Sequence, residues 1–245
     1  YFAVEQIKQQ NEGITDSSPD PAMIDLFNSM VDEMFDYGKY ILLKKRKNPE
    51  NDLLSAIANA KIEGKELTQE FLDGSWLLIV FAGNDTTRNT MSGGIKLLHD
   101  NQDQKELLIN NLDYLPNFIN ETVRCVSPVI HMRRTSLEET EINGQRIGPF
   151  EKIALWYGAA NRDPEIFQDP DTFNILRENA DKHLAFGIGR HTCLGKPVAL
   201  MQLREFYSQF LGRFPDFEMN GEWKVAPNNF VHAIQEMPIK FSPKS

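Results

Sequence analysis

Residues 186–195 read FGIGRHTCLG, and the placing of Cys193 within them decides how the rest of the chain is read. A buried structural cysteine needs only an apolar pocket. A cysteine that must reach a ligand needs backbone that can bend close and donors that lower the cost of its charge. Glycines at 187, 189 and 195 let the chain turn tightly and bring N–H groups toward the sulfur. A helix starting just afterwards would aim its positive N-terminus at the same atom. The loop suits an anionic sulfur ligand. Zinc fits poorly, because Cys193 and the neighbouring His191 fall short of four ligands.

The chain has 245 residues and is 41% hydrophobic, enough for a substantial core. A formal net charge of −9 argues against a general nucleic-acid binder. The 2 cysteines, Cys125 and Cys193, form no C-x-x-C pair and no disulfide framework, so a reducing cytoplasm is expected. The longest apolar run, LLIVFAG from Leu77 to Gly83, is far shorter than the roughly 20 residues of a membrane span. No membrane anchor is expected. The chain opens on Tyr1 in polar, helix-like sequence, which suggests a piece of something longer.

The first half reads as helices. Asp20 can cap one that has Pro21 in its first turn and a Lys/Arg cluster at its end, with Pro49 beyond. After the short DLLSAIANAK segment and a break at Gly64, Thr68 can cap a long helix over 69–101. Between Trp76 and Ala82 that helix is apolar nearly all round and should cross the interior. A further helix, 116–127, must finish before Pro128. Alternating residues around Asn143-Gly144 then suggest short antiparallel strands. A proline-rich loop leads to the cysteine segment, a final helix follows, and the tail NNFVHAIQEMPIKF looks like another strand pair. The expected class is mainly α with small β-sheets (α+β), as a single domain over 1–245.

FGIGRHTCLG matches every fixed position of the haem-binding signature F-G-x-G-x-H-x-C-x-G of the cytochrome P-450 family, which the chain resembles. A chance match is on the order of one in a million at average residue usage. The resemblance implies haem b, with Cys193 as the axial thiolate of its iron. Thiolate donation favours O–O cleavage. It further implies that His191 and Arg134 bind haem propionates, that Phe186 packs beside the sulfur, and that Gly187 and Gly195 line the haem.

The stretch AGNDTT, Ala82 to Thr87, puts Gly83 at the centre of an apolar helix, at a cost of about 1 kcal/mol relative to alanine. A distorted turn facing a ligand would explain it. It resembles the family's A-G-x-D-T-T, where Ala82 and Gly83 make room for dioxygen, Thr86 orients protons and water, and Asp85 relays protons. ETVR places Glu121 and Arg124 on one helical face, and FQDPDTFNILR supplies Arg177. By resemblance these three form a structural network under the cysteine loop. AANRDP, Ala159 to Pro164, is a further family-like structural stretch.

Leu78, Ala82, Val129, Ile130, Phe230 and Val231 are implied substrate contacts, and their apolar character suggests a lipophilic terpenoid, sterol or fatty chain. The implied electron donor is an acidic ferredoxin docking on Lys182, Arg190, Lys196 and Arg204. The chain departs from the family in three places: Phe150 where a glycine is usual, and Leu200 and Gln202 for an arginine and a glutamate. The resemblance covers about Asp20 to Pro243 and lacks the family's amino-terminal part. The function implied is a haem-thiolate monooxygenase. The alternative is a truncated or non-turnover haem-binding protein of the same fold.

Overall fold

The computed structural model describes residues 20–242; the polar opening stretch and Pro243 lie outside them. Helix α1 (Pro21–Lys47) starts as expected: the Asp20 carboxylate accepts the Ala22 N–H at 2.9 Å, and Lys44, Lys45, Arg46 and Lys47 sit at the carbonyl end. Helix α2 (Leu53–Asn59) is capped by Asp52, which accepts the Ser55 N–H at 2.7 Å. The break expected at Gly64 is more than a break. Strands β1 (Lys61–Ile62) and β2 (Lys65–Glu66) pair across it, reversing at Glu63 (φ 52°) and Gly64 (φ 78°).

Helix α3 (Gln69–Asp100) begins at Thr68, whose Oγ1 accepts the Phe71 N–H at 3.3 Å. Two expectations for this helix need correction. It stays α-helical through Ala82–Thr87, with no distorted turn. Two contacts run along the helix here: Asp85 pairs with Arg88 at 2.8 Å, and the Thr86 carbonyl accepts Thr90 Oγ1 at 2.8 Å. Nor is the apolar stretch interior throughout. Leu72 and Trp76 are buried in a cluster with Leu42 of α1 and Ala58 of α2, whereas Leu77, Leu78, Val80 and Phe81 are exposed. Residues of α1 and α2 pack on one face of the helix only.

Helix α4 (Gln102–Asn110) and a 3-10 turn (Leu112–Tyr114) lead to α5 (Leu115–Val126), which stops at Ser127 in the left-handed region (φ 42°) before Pro128. Strand β3 (His131–Thr135) pairs antiparallel with β6 (Lys152–Trp156), enclosing the hairpin of β4 (Thr140–Ile142) and β5 (Gln145–Ile147) around Asn143-Gly144. A single-turn α6 (Tyr157–Ala160) and a long loop precede α7 (Lys196–Arg213). Four short strands follow among the described residues: β7 (Glu218–Met219), β8 (Lys224–Ala226), β9 (Ala233–Glu236) and β10 (Ile239–Lys240). The two tail strands do not pair with each other as expected; β10 pairs with β7 and β9 with β8. Met237-Pro238 between them lacks the left-handed residues that a two-residue hairpin requires.

The chain divides into two compact units between Ala82 and Gly83. In the first, Leu42, Ala58, Leu72 and Trp76 form the core, and Trp76 Nε1 donates to the Met34 carbonyl at 3.0 Å. The second is built on α5, with Phe118, Ile119 and Val123 packed among Ile95 and Leu98 of α3, Leu108 of α4, and Leu203, Tyr207 and Leu211 of α7. Gly93 and Gly94 permit the close approach. A Cβ on Gly94 would lie 2.0 Å from the Tyr207 hydroxyl, and one on Gly93 2.6 Å from Val126. That hydroxyl shares its one proton between the Thr90 and Met91 carbonyls, each at 3.0 Å.

Candidate functional site

The cysteine loop is built by its glycines. Gly187 (φ 67°) and Gly189 (φ 68°) both occupy the left-handed region, and a Cβ on Gly187 would meet the His191 carbonyl at 3.2 Å. The Gly187 N–H donates to the Leu184 carbonyl and the Cys193 N–H to the Phe186 carbonyl, both at 2.8 Å, which ties the loop to its own stem. Gly195 then caps α7, so Cys193 stands exposed immediately before a helix N-terminus. A Cβ on Gly195 would sit 3.8 Å from Sγ. Apolar Ile188, Leu194 and Val198, near it in sequence, are exposed at 69%, 79% and 52%. His191 is exposed in the short 3-10 turn Gly189–His191, and Phe186 packs against the main core.

Beneath the loop lies a buried ionic knot. The Glu121 carboxylate accepts Arg124 Nε at 2.7 Å and Nη2 at 2.8 Å, Arg177 Nε at 3.1 Å, and the Asn174 N–H at 3.0 Å. Arg124 also donates to the carbonyls of Asn161 and Pro170 at 2.8 and 2.7 Å, and Arg177 to those of Asp169 and Thr172 at 3.0 and 2.9 Å. Multiple charge-assisted hydrogen bonds offset the desolvation of these charges. The structure thus brings Glu121, Arg124 and Arg177 together.

The knot reaches the loop through Asn161, and a second buried residue, His183, packs in the loop's stem; sequence reasoning singled out neither. Asn161 is fully buried: its Nδ2 donates to Ser127 Oγ at 2.8 Å and its Oδ1 accepts the Leu184 N–H at 2.6 Å. His183 is buried beside Phe186, with ring centroids 5.6 Å apart. Burial, then the charge of Lys196, holds its imidazole neutral, with a pKa lowered to about 4. Only AANRDP hinted at Asn161; His183 carried no local signal.

The remaining expected residues fall in three places. Val129, Ile130, Phe230 and Val231 meet: Val129 and Val231 form a β-bridge, and the Ile130 N–H donates to the Phe230 carbonyl at 2.8 Å. Leu78, Ala82 and Gly83 lie exposed along α3, with Asp85 and Thr86 half-buried on the next turn. Arg134 is half-buried in β3, opposite Ile153, and its Nη1 donates to the Arg133 carbonyl at 2.9 Å. Among the described residues no cluster of three His, Cys, Asp or Glu could hold a bare metal ion, and no helix is long and apolar enough to cross a membrane.

Comparison with known proteins agrees with this architecture. The sequence profile of the family described as Cytochrome P450 matches residues 21–241. The steroid C26-monooxygenase of Mycolicibacterium smegmatis is 37% identical over 212 residues, 86% of this chain and 53% of that protein. Linalool 8-monooxygenase of Pseudomonas putida is 34% identical over 88% of this chain and 53% of its own length. Among solved structures, CYP109E1 from Bacillus megaterium in complex with testosterone superposes with a TM-score of 0.81 at 32% identity, covering 89% of this chain and 61% of that one. The chain spans about half the length of the curated relatives it matches. A family profile matched almost end to end, on a helical fold whose glycine loop rests on the Glu121–Arg124–Arg177 knot, places this chain in the cytochrome P450 family.

Proposed function

We propose that the chain carries the haem-thiolate half of a monooxygenase acting on a lipophilic small molecule. The observation that carries this reading is Cys193, exposed on a glycine-built loop at a helix N-terminus and braced from below by a buried ionic knot. The residues present fit haem b. An exposed thiol on a segment that also exposes apolar Ile188, Leu194 and Val198 suits a flat apolar ring with one soft axial ligand better than a hydrated ion. Cys193 would ligate the iron as thiolate, with Phe186, Gly187 and Gly195 beside it. His191 and Arg134 would donate to the carboxylates at the ring's edge, and Gly83 would face it from α3.

Bound there, haem supplies dioxygen activation, in which two electrons and two protons send one oxygen atom into a substrate C–H bond and the other to water. The protein's own groups manage protons and position. The Asp85–Arg88 pair, at 2.8 Å and partly solvated, is readily broken, so the Asp85 carboxylate can turn between solvent and Thr86. Thr86 Oγ1 then holds the proton donor in place.

Val129, Ile130, Phe230 and Val231 supply the apolar substrate contacts. Relatives named for steroid and linalool oxidation favour a sterol, terpenoid or fatty chain. Lys182, Arg190 and Arg204, all exposed, and half-buried Lys196 form the docking patch for an acidic ferredoxin-type donor in the cytoplasm. The test is the carbon monoxide difference spectrum of the reduced, haem-loaded protein. A thiolate-type Soret band that vanishes in Cys193→Ala supports the reading; haem ligation indifferent to that substitution would overturn it.

A further inference from the structure

We propose that Asn161 is the positioning residue of the cysteine loop, the link through which the buried ionic knot fixes where the Cys193 backbone stands. Three of its groups are hydrogen-bonded, two to the end of α5 and one to the stem of the cysteine loop. Its carbonyl accepts Arg124 Nη1 at 2.8 Å, its Nδ2 donates to Ser127 Oγ at 2.8 Å, and its Oδ1 accepts the Leu184 N–H at 2.6 Å. Ser127 Oγ in turn donates to the Arg124 carbonyl at 2.9 Å, so both partners at the base belong to the end of α5. Leu184 opens the stem of the loop. Its carbonyl receives Gly187 N–H, and Phe186, two residues on, receives Cys193 N–H.

A side-chain amide is the right group for this position. Its planar amide accepts from the loop stem on one side and donates to Ser127 on the other, and the acceptor is the group that reaches the loop. The Asn161 side chain itself is at zero exposure, so its amide has no water to replace a lost partner. The surrounding charge permits one informative substitution. Glu121, Arg124 and Arg177 together carry a single net positive charge, so a carboxylate at this site would be balanced while still accepting the Leu184 N–H.

The functional weight of the proposal rests on the haem-thiolate reading, so the test is made without haem. Amide hydrogen exchange is followed in the 245-residue chain at residues 184–193 and, as an internal control, in α5. Asn161→Ser, too short to reach Leu184, is expected to speed exchange in 184–193 about tenfold or more while α5 keeps its protection. Asn161→Asp, which retains the acceptor, is expected to stay close to the parent. Unchanged exchange in Asn161→Ser would overturn the proposal. So would an equal loss in α5, which would make Asn161 a general stability residue, or an Asn161→Asp variant as fast as Asn161→Ser. In the haem-loaded protein Asn161→Ser should also lower the fraction of thiolate-type carbon monoxide band, a result separable from Cys193→Ala, which removes the band altogether.

Discussion

Glu121 sits between two guanidiniums: its Oε2 accepts Arg124 Nε at 2.7 Å, and its Oε1 accepts Arg177 Nε at 3.1 Å. Neither Glu121 nor Arg124 is reached by solvent. Removing the carboxylate strands two buried cations, which typically costs about 3–5 kcal/mol. Glu121→Ala should therefore lower stability by that amount in urea titration, with little change in slope. A loss under about 1 kcal/mol would show that the knot is not what holds this region.

The turn before β6 carries strain that can be relieved. Phe150 has a φ of 64° and is 74% exposed, so a bulky side chain holds a left-handed conformation for no packing return. Phe150→Gly is expected to raise stability by about 1 kcal/mol, the relief of strain being partly offset by glycine's flexibility in the unfolded chain. Thermal melting of the two proteins decides it.

Acid should act through His183. Its folded pKa, about 4, lies below the ordinary value of 6.5, so between those values the unfolded chain binds the additional proton. Stability is accordingly lost as pH falls through that window, by up to roughly 3 kcal/mol from this group. His183→Gln, which cannot take up that proton, should flatten the acid limb of stability against pH. An acid limb as steep as the parent's would show that the imidazole is protonated in the folded state.

The two thiols should separate cleanly. Burial, then the nearby charge of Glu121, pushes Cys125 up to about 11, leaving it about a hundredfold poorer in thiolate than at its ordinary 9.0, whereas Cys193 is exposed. Iodoacetamide at mildly alkaline pH, read by peptide mass spectrometry, should modify Cys193 and spare Cys125. Comparable labelling at both positions would contradict the packing around Arg124, whose Nη2 lies 3.2 Å from Cys125 Sγ.

What the sequence made legible was whatever short-range pattern encodes. The Asp20 and Thr68 caps, the hairpin at Asn143-Gly144 and the glycine-built cysteine loop all depend on residues within a few positions of one another. The pairings of β9 with β8 and of β10 with β7 were not legible, because strands of two to four residues carry too little periodicity to name a partner. The same limit hid His183 and Asn161. The Asn161 amide works on Ser127 and Leu184, which lie 34 and 23 positions away. Leu77–Ala82 failed differently: hydropathy reported that the stretch is apolar, and burial depends on which faces neighbouring elements cover.

The contact at Gly93 and Gly94 works as an angular index for α3. Each residue turns a helix by about 100°, and only these two positions could admit the Val126 side chain and the Tyr207 phenol at 2.6 and 2.0 Å from where a Cβ would stand. A slip of one residue in either direction would drive a side chain into one of them. The azimuth of Asp85 and Thr86, two turns away on the same rod, is thereby set at a distance by two residues with no side chain at all.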